Sequence, residues 1–212
     1  MNSTRPAPPP LPQPPRPSAA AKAITEAAQA AASAWARTLP PAAHGRAISQ
    51  LHSILRDLGI ASRGLATYQA SDIPSEPQHG EFSRHVDCGS RRLLSAWQCL
   101  DYFLAAEGIP PSSDPDEPGA ALCHAARDAI LAWRRPRGTA ADRDETVRRL
   151  AAATGFISAA VLSLATYATR QTTMDLQAAA GHLAEATAAL SAAIQLPEDN
   201  PAPGRQAVPG ER

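Results

Sequence analysis

The sequence predicts an all-α protein, a six-helix bundle built from two similar three-helix units and flanked by Pro-rich tails. Three observations carry that expectation. Aromatic residues make up 4% of the 212-residue chain and alanine-rich runs recur, a composition suited to helices and poor for a β-sandwich. No stretch alternates apolar and polar residues with period two for long enough to compete as a strand. Apolar residues recur instead three and four apart, the seam of a helix that buries one face.

Taken in order, residues 1–17 (MNSTRPAPPPLPQPPRP) hold eight prolines and no apolar periodicity, which favours extended polyproline II or disorder. No unbroken apolar run follows Arg5, so the segment does not read as a secretory signal. Pro9-Pro10-Leu11-Pro12 has the form of a ligand for an aromatic groove, against the plainer reading of a solvated tail. The first helix is expected at 18–38, with Ser18 as N-cap and Pro40-Pro41 as the stop. The second covers 43–70 and gives way to a polar loop, Ser71 to Glu81. A third at 84–107 is ended by Gly108, with Pro110 just beyond. The acidic turn Asp114-Pro115-Asp116-Glu117 suits the positive end of a fourth helix, 118–135, which Pro136 and Gly138 terminate. Asp142 and Glu145 have capping-box spacing at the head of the fifth, 142–170. Thr172 and Asp175 open the sixth, 174–196, in a related way, and 198–212 form a second disordered tail.

The helices repeat in register. In the second, Ile48, Leu51, Leu55, Leu58, Ser62 and Leu65 form the seam; adding 99 gives Val147, Leu150, Thr154, Ile157, Val161 and Leu164 in the fifth. The same shift places Leu65-Ala66-Thr67-Tyr68 on Leu164-Ala165-Thr166-Tyr167. Adding 98 takes Ile24, Ala28, Ala34 and Trp35 to Leu122, Ala126, Ala132 and Trp133. Adding 90 takes Val86, Leu93, Leu100 and Leu104 to Leu176, Leu183, Leu190 and Ile194. Alanine matches carry little weight, but the constant order, the Ala-Trp pair and the shared tetrapeptide point to units 18–110 and 111–197. These are expected to pack as one domain about an approximate two-fold axis. Helices two, three, five and six should form the centre, with helices one and four, each bearing one Trp, laid against it.

Several function classes lose support at this stage. Twenty basic and twenty acidic residues cancel, which removes the long-range field that general nucleic-acid binding needs. Three scattered cysteines are no disulfide framework and suit a reducing compartment. Leu150 to Thr169 is an uncharged run long enough for a bilayer, but its Thr, Ser and Gly content fits a buried bundle helix better. His85 with Cys88, and His182 with Glu185, offer pairs three apart, short of a zinc site, and the Glu-x-x-His of a di-iron bundle is missing. Neither a phosphate loop nor a nucleophile elbow occurs. Asp57, Asp101 and Asp128 are carboxylates that solvent or arginine can satisfy.

The expectation is therefore a cytoplasmic, monomeric, non-catalytic module that binds or scaffolds an unknown protein partner and needs no cofactor or metal. Two surfaces are candidates. Trp97, Tyr102 and Phe103 give the third helix more aromatic area than the sixth, where Thr187 and Ala193 replace Trp97 and Phe103; they form core packing or a patch for a partner. Arg134, Arg135 and Arg137 open a basic cluster reaching Arg143, Arg148 and Arg149, with Asp142, Asp144 and Glu145 interspersed. An accessory nucleic-acid role through that cluster, and membrane association through 150–169, stand as alternatives.

Overall fold

A computed structural model describes residues 16–37, 41–72, 76–110, 118–168 and 172–195; both expected tails, save residues 16 and 17, lie outside these. Six helices are described: α1 (Pro17–Trp35), α2 (Pro41–Leu65), α3 (Glu76–Glu107), α4 (Ala120–Ala132), α5 (Ala140–Ala165) and α6 (Thr173–Ala193). The all-α expectation holds. Two short extended pieces interrupt it, β1 (Gln69–Ala70) and β2 (Arg137–Gly138), paired in parallel with Gln69 opposite Arg137 and Ala70 opposite Gly138.

Helix boundaries follow local chemistry. Pro17 and Pro41 each occupy a first helical position, where the missing N–H would have no acceptor in any case. Arg16, not Ser18, is the N-cap of α1. Thr139 caps α5 by accepting the Asp142 N–H at 3.2 Å, so Asp142 stands inside the first turn and not at its head. Helix α3 starts at Glu76, within the stretch expected to be loop, because Pro77 falls in a first turn that tolerates it. It ends at Gly108, whose φ of 64° supports a Schellman turn. There the Ile109 N–H donates to the Leu104 carbonyl at 3.0 Å and the Gly108 N–H to the Ala105 carbonyl at 3.4 Å.

The principal helix contacts close a circuit: α1 on α5, α5 on α6, α6 on α3, α3 on α2, α2 on α4, and α4 back on α1. A lighter α2–α5 contact crosses it. Helices α2 and α5 thus form the middle layer, with α1 and α4 on one side and α3 and α6 on the other. Within this circuit α2, α3, α5 and α6 close a four-helix group, against which α1 lies on α5 and α4 on α2. The middle position explains the uncharged run of α5. Val147, Leu150, Ile157, Val161 and Leu164 are at most 1% exposed. The hydroxyls among them find backbone acceptors, Thr154 at the Leu150 carbonyl and Ser158 at the Ala180 carbonyl. By length and hydropathy α5 could cross a membrane, yet half of its apolar window is buried against protein.

Candidate functional site

The connection from α4 to α5 is fixed at both ends. Trp133 is fully buried, and its indole N–H donates to the Pro17 carbonyl at 3.0 Å, which ties it to the start of α1. The Trp133 carbonyl lies where a Cβ on Gly64 would stand, so the end of α2 abuts the same point. Pro136 is buried, and its carbonyl accepts the Gln69 N–H at 3.0 Å; the Gly138 carbonyl accepts the Ser71 N–H at 2.8 Å. The Asp72 carboxylate takes the Ala140 N–H at 2.7 Å.

A buried phenol locks this junction. Tyr68, 1% exposed, donates its hydroxyl to Asp142 Oδ2 at 2.5 Å, and Gly138 packs on the same hydroxyl. Burial first, and then the bond to Asp142, push the phenol well above its ordinary value of 10.0. Beside it the Arg143 guanidinium lies over the Phe82 ring, 4.5 Å from its centroid, and pairs with Asp144 at 2.8 Å.

Around this rigid junction the arginines fall into two sets. Arg143, Arg148 and Arg149 are neutralised. Glu145 accepts from Arg148 at 2.6 Å and from Arg149 at 2.5 Å, and these two bonds hold its carboxyl below the usual glutamate range. The expected continuous cluster therefore ends at Arg137. Arg134, Arg135 and Arg137 are exposed and make no ion pair among the described residues. Two further exposed arginines, each next to a residue that meets Trp133, make no ion pair among the described residues. Arg63 precedes Gly64 at the end of α2, and Arg16 precedes Pro17. A groove of about 330 Å³ opens between Thr67, Gln69 and the Arg135-Pro136-Arg137 segment.

The aromatic candidates do not form one surface. Phe103 is 4% exposed and belongs to the core, Trp97 is half-buried, and Tyr102 alone is open to solvent at 69%. Helical spacing accounts for this: Phe103 shares a face with Ala96, Leu100 and Leu104, all buried, while Tyr102 is turned about 100° away. Trp97 sits 5.6 Å from the ring of His52. His52 Nε2 lies 3.2 Å from Asp101 Oδ1, whereas His52 Nδ1 and Trp97 Nε1 are buried without hydrogen-bond partners. Burial lowers the His52 pKa below 6.5, and Asp101 opposes that shift. A base for catalysis needs its free nitrogen turned to a substrate; here that nitrogen is enclosed by protein.

The remaining polar pairs have structural partners. Asp57 is buried beside Arg56 at 3.1 Å. Glu185 binds both His182, at 3.4 Å, and Arg92 of α3, at 3.0 Å. Among the described residues, no three His, Cys, Asp or Glu side chains gather as a metal site would require. Comparison with protein-family models, with curated proteins and with solved structures found no match.

Proposed function

We propose that the protein is a non-catalytic binding module whose partner is an acidic protein segment, held at the arginine corner around Trp133. One observation carries this reading. Arg16 and Arg63 each precede a residue that meets Trp133, Pro17 at the indole N–H and Gly64 at the backbone carbonyl, and Arg134, Arg135 and Arg137 follow Trp133; all five are exposed and without carboxylate partners among the described residues. Like charges brought together on a rigid frame repel, and a partner carrying carboxylates relieves that repulsion while using the bidentate geometry of guanidinium. A protein partner is favoured over nucleic acid because the chain as a whole has no net charge to draw a polyanion from a distance. Membrane association through 150–169 is the weaker reading, since α5 is packed between α1 and α6.

The test is fluorescence anisotropy of a labelled Asp/Glu-rich peptide and of a labelled duplex, with the full chain and with Arg134→Glu/Arg135→Glu/Arg137→Glu. At about 1 kcal/mol per arginine, the triple variant should bind the peptide about a hundred-fold more weakly. No peptide binding by the native chain refutes the proposal. Duplex binding with a steep salt dependence replaces it with the nucleic-acid reading.

The two halves are read as copies of one three-helix unit about a pseudo-two-fold axis. Exchanging α1, α2 and α3 for α4, α5 and α6 turns the α1–α5 contact into α4–α2 and α2–α3 into α5–α6, and returns α3–α6, α1–α4 and α2–α5 to themselves. Burial repeats in the same register: Ile24, Leu51, Leu58, Trp35 and Leu100 match Leu122, Leu150, Ile157, Trp133 and Leu190, all at most 1% exposed. A crystal structure in which the two trios fail to superimpose, or the two indoles occupy unrelated surroundings, would refute it.

A further inference from the structure

A second cleft, of about 170 Å³, opens where the first turns of α2 meet the ends of α3 and α5. His44, Ile48, Phe103, Glu107, Leu164 and Tyr167 line it, with Thr172 beside them. The correspondence between the halves explains why space exists here. Tyr167 and Leu164 answer to Tyr68 and Leu65, His44 to Arg143, Ile48 to Val147, and Thr172 to Phe82. At the Tyr68 junction the positions are filled: Tyr68 and Phe82 are each 1% exposed, and Arg143 covers the Phe82 ring. At the cleft a threonine stands in place of the phenyl ring and an imidazole in place of the guanidinium. Tyr167 is 46% exposed, and its ring stacks on His44 at 4.2 Å and 22°.

We propose that this cleft binds a small organic cation, a primary amine on a compact aromatic or apolar body. Its size is close to that of an apolar cavity of about 150 Å³ that holds benzene. Ile48, Phe103 and Leu164 supply apolar wall for the body of the ligand. Glu107 is the one charged residue of the lining, exposed and without an ion pair among the described residues. Its carboxylate selects an ammonium and repels an anion. The rings of Tyr167 and Phe103 favour the same sign of charge through their quadrupoles. The proposal takes from the preceding section only the correspondence between halves; the arginine corner plays no part in it.

Ligand-observed NMR and calorimetry on the full chain, with benzylamine, benzyl alcohol and benzoate as probes, test the proposal. Benzylamine should bind saturably at one site, benzyl alcohol at least tenfold more weakly, and benzoate not at all. Glu107→Gln should weaken benzylamine at least tenfold and leave benzyl alcohol unchanged. Thr172→Phe, which supplies the ring present at the other junction, should abolish binding of both while leaving the far-UV spectrum intact. If that variant does not fold, Glu107→Gln decides alone. Lack of saturable benzylamine binding, equal binding of benzoate, or indifference to Glu107→Gln overturns the proposal. Each of those failures leaves the acidic-peptide measurement untouched, so the two readings fall separately.

Discussion

Replacing Gly64 by alanine sets helix propensity against packing. Gly64 lies within α2, and Gly→Ala inside a helix ordinarily gains about 0.5–1 kcal/mol. Here the added Cβ would occupy the position of the Trp133 carbonyl oxygen. That oxygen is backbone at the C-cap of α4, and the indole bond to Pro17 fixes the same residue, so no rotamer change relieves the overlap. Forcing a methyl group into a packed contact costs about 1–3 kcal/mol, and the immobile neighbour places this case at the upper end. The net expectation is a loss of about 1–2 kcal/mol. Gly155 and Gly181 are the controls: a Cβ at either meets nothing within 4 Å, so alanine should gain about 0.5–1 kcal/mol. Gly59→Ala falls between, because the atoms in its way are Cδ2 and Cγ of Leu94, at 2.6 and 2.8 Å, on a side chain that can turn. Urea unfolding followed by far-UV circular dichroism reads all four. With a slope of about 2 kcal/mol per molar, the midpoint should fall by about 0.5–1 M for Gly64→Ala and rise by about 0.25–0.5 M for each control. A rise for Gly64→Ala equal to that of the controls would show that α2 and the α4–α5 connection do not meet as described.

Trp133→Ala should cost about 3–5 kcal/mol, as a fully buried indole requires. Trp133→Phe should still cost about 2–3 kcal/mol in the same urea assay, since the Pro17 carbonyl loses its donor. For His52 the folded pKa lies below the unfolded value of 6.5. Its contribution to stability is therefore complete above pH 6.5 and is lost as the pH falls from there toward the folded pKa. Urea midpoints across that range should show an acid limb that His52→Gln flattens; an unchanged limb would remove His52 as its source. Asp101→Asn should lower the His52 pKa further, read by NMR titration, because Asp101 is the group that raises it. Among the thiols, exposed Cys88 should react with a disulfide reagent well before Cys99, whose pKa burial raises.

The seams were legible because three-and-four spacing states which face of a helix is buried. Leu51, Leu58, Leu150 and Ile157, chosen on spacing alone, are all at most 1% exposed. Spacing does not state what covers that face, so the placement of α1 on α5 and of α4 on α2 could not be read. The β1–β2 pair was invisible for another reason: two residues show no periodicity, and their partner lies 68 positions away. Tyr68 and Asp142 are 74 residues apart, and neither carries a local sign of the other. The arginine corner was half legible. Arg134, Arg135 and Arg137 are adjacent in sequence, but Arg16 and Arg63 join them only through the folding of Trp133 against Pro17 and Gly64. Gly64 and Gly138 were the available hints, since each leaves room for a neighbouring chain.

Because α1 rests on α4 and α5, this helix leaves the ribosome before partners encoded roughly a hundred codons later. At about 5–20 residues per second, that delay lasts on the order of 5–20 seconds. Through that interval the face destined for the interior consists largely of Ala20, Ala21, Ala28 and Ala31, with Ile24 and Trp35 its bulkier members. Methyl groups offer chaperones and stray hydrophobic surfaces far less to grip than a leucine zipper would. The alanine content of this helix thus suits its order of birth as much as its tight fit in the finished bundle.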